Sequence, residues 1–147
     1  MTRMMARQLA IQLLFSMEIN RLSPDEAAAL FFSDEHYVTL KGEDAAYEEY
    51  PDEVQMAYIR SVMEAVQGHA GEIDAVIETY AREWKVQRIS KMTLAILRCA
   101  IAEILYLEEV TPAVAVNEAV EQGKRYESPE AGAFINGILG SFLRERA

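Results

Sequence analysis

Arg3 and Arg7 stand four residues apart, a spacing that puts two guanidiniums on one face of a helix. Each planar fork matches the oxygens of a phosphate, and every phosphate neutralised releases counterions. Two solvated arginines at a helix start fit the same spacing. A second cationic group, Lys124-Arg125-Tyr126, is followed by Ser128-Pro129. Bases there complement the negative end of one helix, and a helix starting at Pro129 would offer backbone N–H groups to an anion. Phe134 comes next, an aromatic early in the same predicted helix. With Ile138 and Phe142 at i+4 and i+8, Phe134 fits a core position.

Other chemistries find no footing in the residue pattern. His36 and His69 lie 33 positions apart with no acid or cysteine at ligand spacing, so neither a metal nor a cofactor is expected. Glycine-rich phosphate loops and serine-nucleophile elbows are missing, and no catalytic residue is expected. Cys99, the single cysteine, sits in the most apolar stretch and reads as a small buried side chain.

The 147 residues suit one domain, 1–147, able to bury roughly two-thirds of the surface of its unfolded chain. The net charge is −10, but it is unevenly spread. Residues 1–22 carry three arginines against one glutamate; residues 23–83 carry three bases against fifteen acids; residues 84–147 carry eight of each. A uniformly basic nucleic-acid binder is excluded, whereas a local basic patch is not. The acidic middle reads either as solvated surface or as a docking face for a basic partner. One cysteine rules out an internal disulfide and suits a reducing cytoplasm. No run reaches the ~18 apolar residues of a membrane span. Residues 1–15 read as an amphipathic helix, not a signal peptide, because Arg7, Gln8 and Gln12 interrupt the apolar run.

Helical periodicity predicts helices over 4–19, 24–33, 51–68, 71–84, 90–107, 112–125 and 129–144. Ser23-Pro24-Asp25-Glu26 combines a capping serine, proline in the first turn and a glutamate three residues on. Thr111-Pro112 and Ser128-Pro129 repeat the cap-then-proline order, and Gly68 suits a helix C-cap. Apolar residues circle most of 90–107, which places that helix at the centre of a bundle. The segment from His36 to Tyr50 reads as a long helix–helix connection free to move, with Tyr37 to Leu40 open to a short strand.

The ordered pieces Ala6-Arg7-Gln8, Trp84 to Ile89, Ile96 to Glu103, Pro112 to Val120, Lys124-Arg125-Tyr126 and Phe134 to Leu139 resemble the NusB family of transcription antitermination factors. The similarity covers most of the chain, with 33–50 least matched. The resemblance implies an all-α fold of about seven helices in two small antiparallel bundles, about 1–70 and about 71–147. It implies binding of boxA-type single-stranded RNA together with a small ribosomal protein, NusE, in a complex that keeps RNA polymerase elongating. Transferred residue by residue, it points to Arg3, Arg7, Lys124, Glu130 and Phe134 for RNA, and to Phe15 and Thr93 for the partner protein. Arg98, Glu103, Asn117 and Glu118 are expected to be structural, with Glu118 or Glu103 pairing with Arg98 across the bundle. Gly137 and Gly140 are expected to permit close helix approach.

Relatives often carry consecutive arginines before the Ala-Arg pair, a base directly before the aromatic of the last helix, and an acid where Thr93 stands. Here Met4, Met5, Ala133 and Thr93 occupy those places. Fewer phosphate contacts follow, and a weak, salt-sensitive affinity for the free protein. A protein-only interaction module or homodimer of the same fold, without RNA binding, is the competing expectation. The helical domain of an RNA methyltransferase is another, but it would need a cofactor-binding α/β domain that 147 residues do not supply.

Overall fold

The computed structural model describes residues 1–146, with side chains throughout except at positions 34 and 35. Among the described residues there are eight α-helices, two 3-10 turns and no strand. They are α1 (Arg3–Asn20), α2 (Pro24–Phe31), α3 (Asp34–Thr39), α4 (Glu53–Gly68), α5 (Ala70–Ala81), α6 (Lys91–Tyr106), α7 (Pro112–Tyr126) and α8 (Pro129–Arg146).

Burial explains the arrangement. Helix α6 hides residues on every side, from Leu94 and Leu97 to Ile101 and Ala102, as its encircling apolar pattern requires. It packs on α1, α4, α5, α7 and α8. It is therefore the centre of the bundle, and Cys99 lies buried within it. No helix among the described residues is long and apolar enough to cross a membrane.

Local signals explain most boundaries. Ser23 forms both halves of a capping box, its hydroxyl accepting from Glu26 N–H while the Glu26 carboxylate accepts from Ser23 N–H. Asp52 caps α4 by accepting from Gln55 N–H, so that helix starts after Pro51, two residues later than predicted. Gly68 is the last residue of α4 and only His69 separates it from α5, so no glycine cap forms there. Thr111 precedes Pro112 but makes no side-chain cap bond.

The segment before α4 differs most from expectation. Tyr37 to Leu40 form no strand: Ser33 accepts from His36 N–H and starts the short α3. Nor does the connection run free. Tyr37 is 3% exposed, and its hydroxyl donates to the carbonyls of Ala46 and Glu49 at 3.1 and 2.7 Å. Its ring stacks on Tyr50 with centroids 4.5 Å apart. Burial lifts its phenol pKa to about 12, so the hydroxyl keeps its proton and its donor role.

The last two helices meet at glycines other than those expected. A Cβ at Gly123 would lie 2.5 Å from Ile135 Cδ1, and one at Gly132 would lie 2.7 Å from Lys124 Cγ and 3.3 Å from the Val120 carbonyl. Gly137 has open space around it and Gly140 meets only the Arg144 side chain, so neither brings helices together.

Candidate nucleic-acid interface

The two N-terminal arginines share a helix face, but that face turns inward. Arg7 is 4% exposed and Glu103 is fully buried. Arg7 Nε and Nη2 donate to Glu103 Oε1 and Oε2 at 2.7 and 2.8 Å, a two-pronged pair between α1 and α6. Tyr58 of α4 donates its hydroxyl to Glu103 Oε1 at 2.8 Å, and Cys99 Sγ lies 3.4 Å from the same oxygen. Burial works against the Arg7 charge, but the hydrogen bonds and charge of Glu103 outweigh it and hold the proton more firmly than usual. Burial, helped by Glu103, drives the Tyr58 and Cys99 pKa values well up, so both stay protonated. Arg7, expected to meet RNA, thus spends its fork on stapling three helices in this structure. Glu118 on α7 stands 4.0 Å from Arg7, completing the cluster.

Arg3 is half-buried: its Nε donates to Gln55 Oε1 at 2.8 Å and its guanidinium lies 4.1 Å from the Tyr58 ring centre. No carboxylate among the described residues pairs with it.

Arg98 pairs with neither expected acid. Its Nε and Nη2 donate to the two Asp74 oxygens at 2.9 Å each, and Nη1 reaches Glu18 Oε2 at 3.1 Å. The reason is angular: five residues of helix separate Arg98 from Glu103 by about 140°, so they face different neighbours. Asp74 and Glu18 outweigh the desolvation of Arg98 and keep it charged, and Arg98 with Lys91 pulls the Glu18 pKa down. Asn117, expected to be structural, is exposed, and its side chain bonds to no described residue.

The junction of α7 and α8 is where exposed groups meet. Ser128 caps α8, accepting from Ala131 N–H at 3.1 Å. Lys124 lays its stem over Gly132 and sets its ammonium 3.5 Å from Glu121. The next cation, Arg125, pairs with Asp44, just ahead of the 3-10 turn Ala45–Tyr47 that packs on α1. About 200° around α8 from Gly132, on the opposite flank, are Glu130 and Phe134. Phe134 is half-buried and meets Trp84 edge to face, with ring centres 6.4 Å apart and planes at 78°.

This ring pair divides a surface cleft. On one side lies a hollow of about 440 Å³ walled by Tyr80, Arg82, Phe134 and Ser141. On the other lies one of about 300 Å³ walled by Arg88, Thr93, Ser128 and Glu130. Thr93 is 5% exposed and forms cleft wall, while Phe15 is half-buried against the core. The fold therefore brings Glu130, Phe134 and Thr93 together, sets Lys124 on the far flank of α8, and buries Arg7.

Trp84 escaped the sequence reading as a site residue because 71–84 was predicted as continuous helix. In fact α5 stops at Ala81, and Arg82 takes φ 58°, ψ −94°, a conformation that side chains rarely adopt. Glu78 then accepts from Val86 N–H at 3.0 Å, and Ile89 is buried. Pinned at Ala81 and Ile89, the connection leaves Trp84 50% exposed at its crest. The helix-breaking signal was absent because no glycine stands where the chain turns left-handed.

The molecule is an all-helical bundle with a buried ion pair at its centre and with aromatics and cations lining an outer cleft. Among the described residues no group of acids, histidines or cysteine is placed to hold a metal. Residues 4–144 match the model of the NusB family. The transcription antitermination protein NusB of Symbiobacterium thermophilum is 38% identical over 144 residues, covering 98% of this chain and 90% of that protein. NusB of T. maritima superposes with a TM-score of 0.75 at 26% identity, covering 99% of this chain and 92% of that one. A crystal structure of antitermination factors NusB and NusE in complex with dsRNA shares the fold at a TM-score of 0.75 and 22% identity, covering 97% and 96%. The chain belongs to the NusB family of transcription antitermination factors.

Proposed function

We propose that this chain binds boxA-type single-stranded RNA of nascent ribosomal RNA together with the ribosomal protein NusE, in the cytoplasm, within a complex that keeps RNA polymerase elongating. It acts by binding, without catalysing a reaction. A solved relative held with NusE and dsRNA supports the choice of partners. The observation that carries the reading is the start of α8, where Phe134 and Glu130 line an open cleft together with Arg88. A half-exposed ring with a cation beside it suits an unpaired base and its phosphate. Arg3, half-buried and without an acid partner among the described residues, adds a contact from α1.

Fluorescence anisotropy of a labelled 12-nucleotide boxA-type RNA, with and without NusE, tests the reading. Phe134→Ala is expected to weaken binding about tenfold, as loss of one stacked base does. Equal affinity for a scrambled RNA, or no binding even with NusE, contradicts it. A protein-only module or homodimer draws support from the buried Arg7 and the Asp44-paired Arg125, both withdrawn from phosphate. Sedimentation separates that reading: a symmetric dimer indifferent to RNA would favour it.

A further inference from the structure

We infer that the α5–α6 connection, residues 82–89, is an RNA-binding surface in its own right, on which Trp84 stacks a base while Arg82, Lys85 and Arg88 hold the flanking phosphates. This rests on the RNA reading above and extends it to residues outside the start of α8.

Four observations converge on this segment. Trp84 leaves half of its surface in water, although an indole is the most costly side chain to leave exposed and is used where one face meets a partner. Its ring stands edge-on to Phe134, and the hollows on either side, about 440 and 300 Å³, lie within the rough 300–1,000 Å³ range of ligand sites. Arg82, Lys85 and Arg88 are all exposed, and none makes an ion pair with a described residue. Elsewhere Arg7, Arg98, Arg60 and Arg125 are each engaged by an acid of the chain. Finally, Arg82 is held at positive φ where glycine would be relaxed, so the chain keeps a cation at a backbone cost.

The chemistry favours a polyanion with flat, stackable groups. Three cations against the single Glu83 give this stretch a positive sign inside a chain of net charge −10. A basic protein segment would be repelled by those cations and would go instead to the acidic middle. Single-stranded RNA meets both demands at once, with phosphates for the arginine forks and bases for the ring faces.

Trp84 is the only tryptophan, so its emission reports on this site alone. The full chain is titrated with the 12-nucleotide boxA-type RNA while anisotropy and tryptophan emission are followed together, and NusE alone is titrated in a parallel run. Expected is quenching of Trp84 emission that saturates with the anisotropy change, and no quenching by NusE alone. Trp84→Ala is expected to weaken RNA about tenfold, and Arg88→Gln several-fold, with thermal midpoints near that of the parent. Rescue by Trp84→Phe would mark stacking. RNA binding with unchanged emission and wild-type affinity in Trp84→Ala overturns this inference and leaves the proposed function standing. Quenching by NusE alone makes the surface a protein site and overturns it too. No RNA binding under any condition overturns both.

Discussion

Arg7 and Arg88 are arginines of the same acidic bundle, each near an aromatic ring, Tyr58 for one and the Trp84–Phe134 pair for the other, yet their surroundings differ completely. Arg7 is 4% exposed, with both prongs on a carboxylate that is itself fully buried. Arg88 stands in water beside the cleft and meets no acid among the described residues. A buried guanidinium is tolerable only when its hydrogen bonds are met inside, and once they are met it has nothing left to offer a phosphate. An exposed guanidinium contributes little to stability and keeps its fork free. Position in the fold, not residue type, decides which arginine is structural and which can bind.

The largest expected effect breaks the buried half of that contrast. Glu103→Ala takes both hydrogen-bonded partners from the buried Arg7 fork, leaves only Glu118 at 4.0 Å, and is expected to cost about 3 kcal/mol in urea unfolding. The salt dependence of RNA binding by the folded protein should not change. A cost below about 1 kcal/mol would mean that Arg7 finds water or another acid, and the two arginines would no longer differ in kind.

Arg82→Gly sharpens the exposed half. Removing the side chain from a left-handed position is expected to stabilise the fold by about 1 kcal/mol, read as a rise in thermal midpoint, while weakening RNA binding. A variant that gains stability without losing affinity would show the strained cation to be idle.

Acid should act first on partly buried pairs. Arg98 and Lys91 hold the Glu18 carboxyl below its ordinary value of 4.5. A carboxyl depressed in the folded state contributes stability that is fully present above that value and is lost as pH falls below it. Unfolding midpoints are thus expected to drop below about pH 4.5, and Glu18→Gln should flatten that slope. An equal slope in the variant would place the acid sensitivity elsewhere.

The smallest effect concerns Arg125, which lies between the two extremes. Asp44→Asn removes the pairing charge but keeps an oxygen for the Ala46 N–H that Asp44 now caps. Stability should move by less than about 1 kcal/mol, and RNA affinity should rise by less than about fivefold as Arg125 is released. No tightening would mean that Arg125 is too far from the RNA path.

Legibility in the sequence followed the range over which each interaction acts. The Ser23 capping box spans four residues and was readable, as was the central helix with its encircling apolar pattern and buried Cys99. The burial of Arg7 depends on Glu103, 96 residues away, which spacing alone cannot pair. A local hint did exist: Ala10, Ile11 and Leu14 follow Arg7 at i+3, i+4 and i+7, an apolar stripe with the arginine on it. Tyr37 shows the same limit, since its burial comes from Ala46 and Glu49 carbonyls in a segment whose charge suggested a loop. Of the candidate site, Phe134 and Glu130 were legible through resemblance. Trp84 was not, because the turn exposing it has no glycine or proline to mark it.

The most direct measurement is the slope of log affinity against log salt for boxA-type RNA, compared between the parent chain and Arg82→Gln/Lys85→Gln/Arg88→Gln. If these three exposed cations neutralise phosphates, the slope should shrink by about two, at roughly 0.7 per contact on a single strand. An unchanged slope and affinity in the triple variant would contradict the assignment of RNA capture to this cleft.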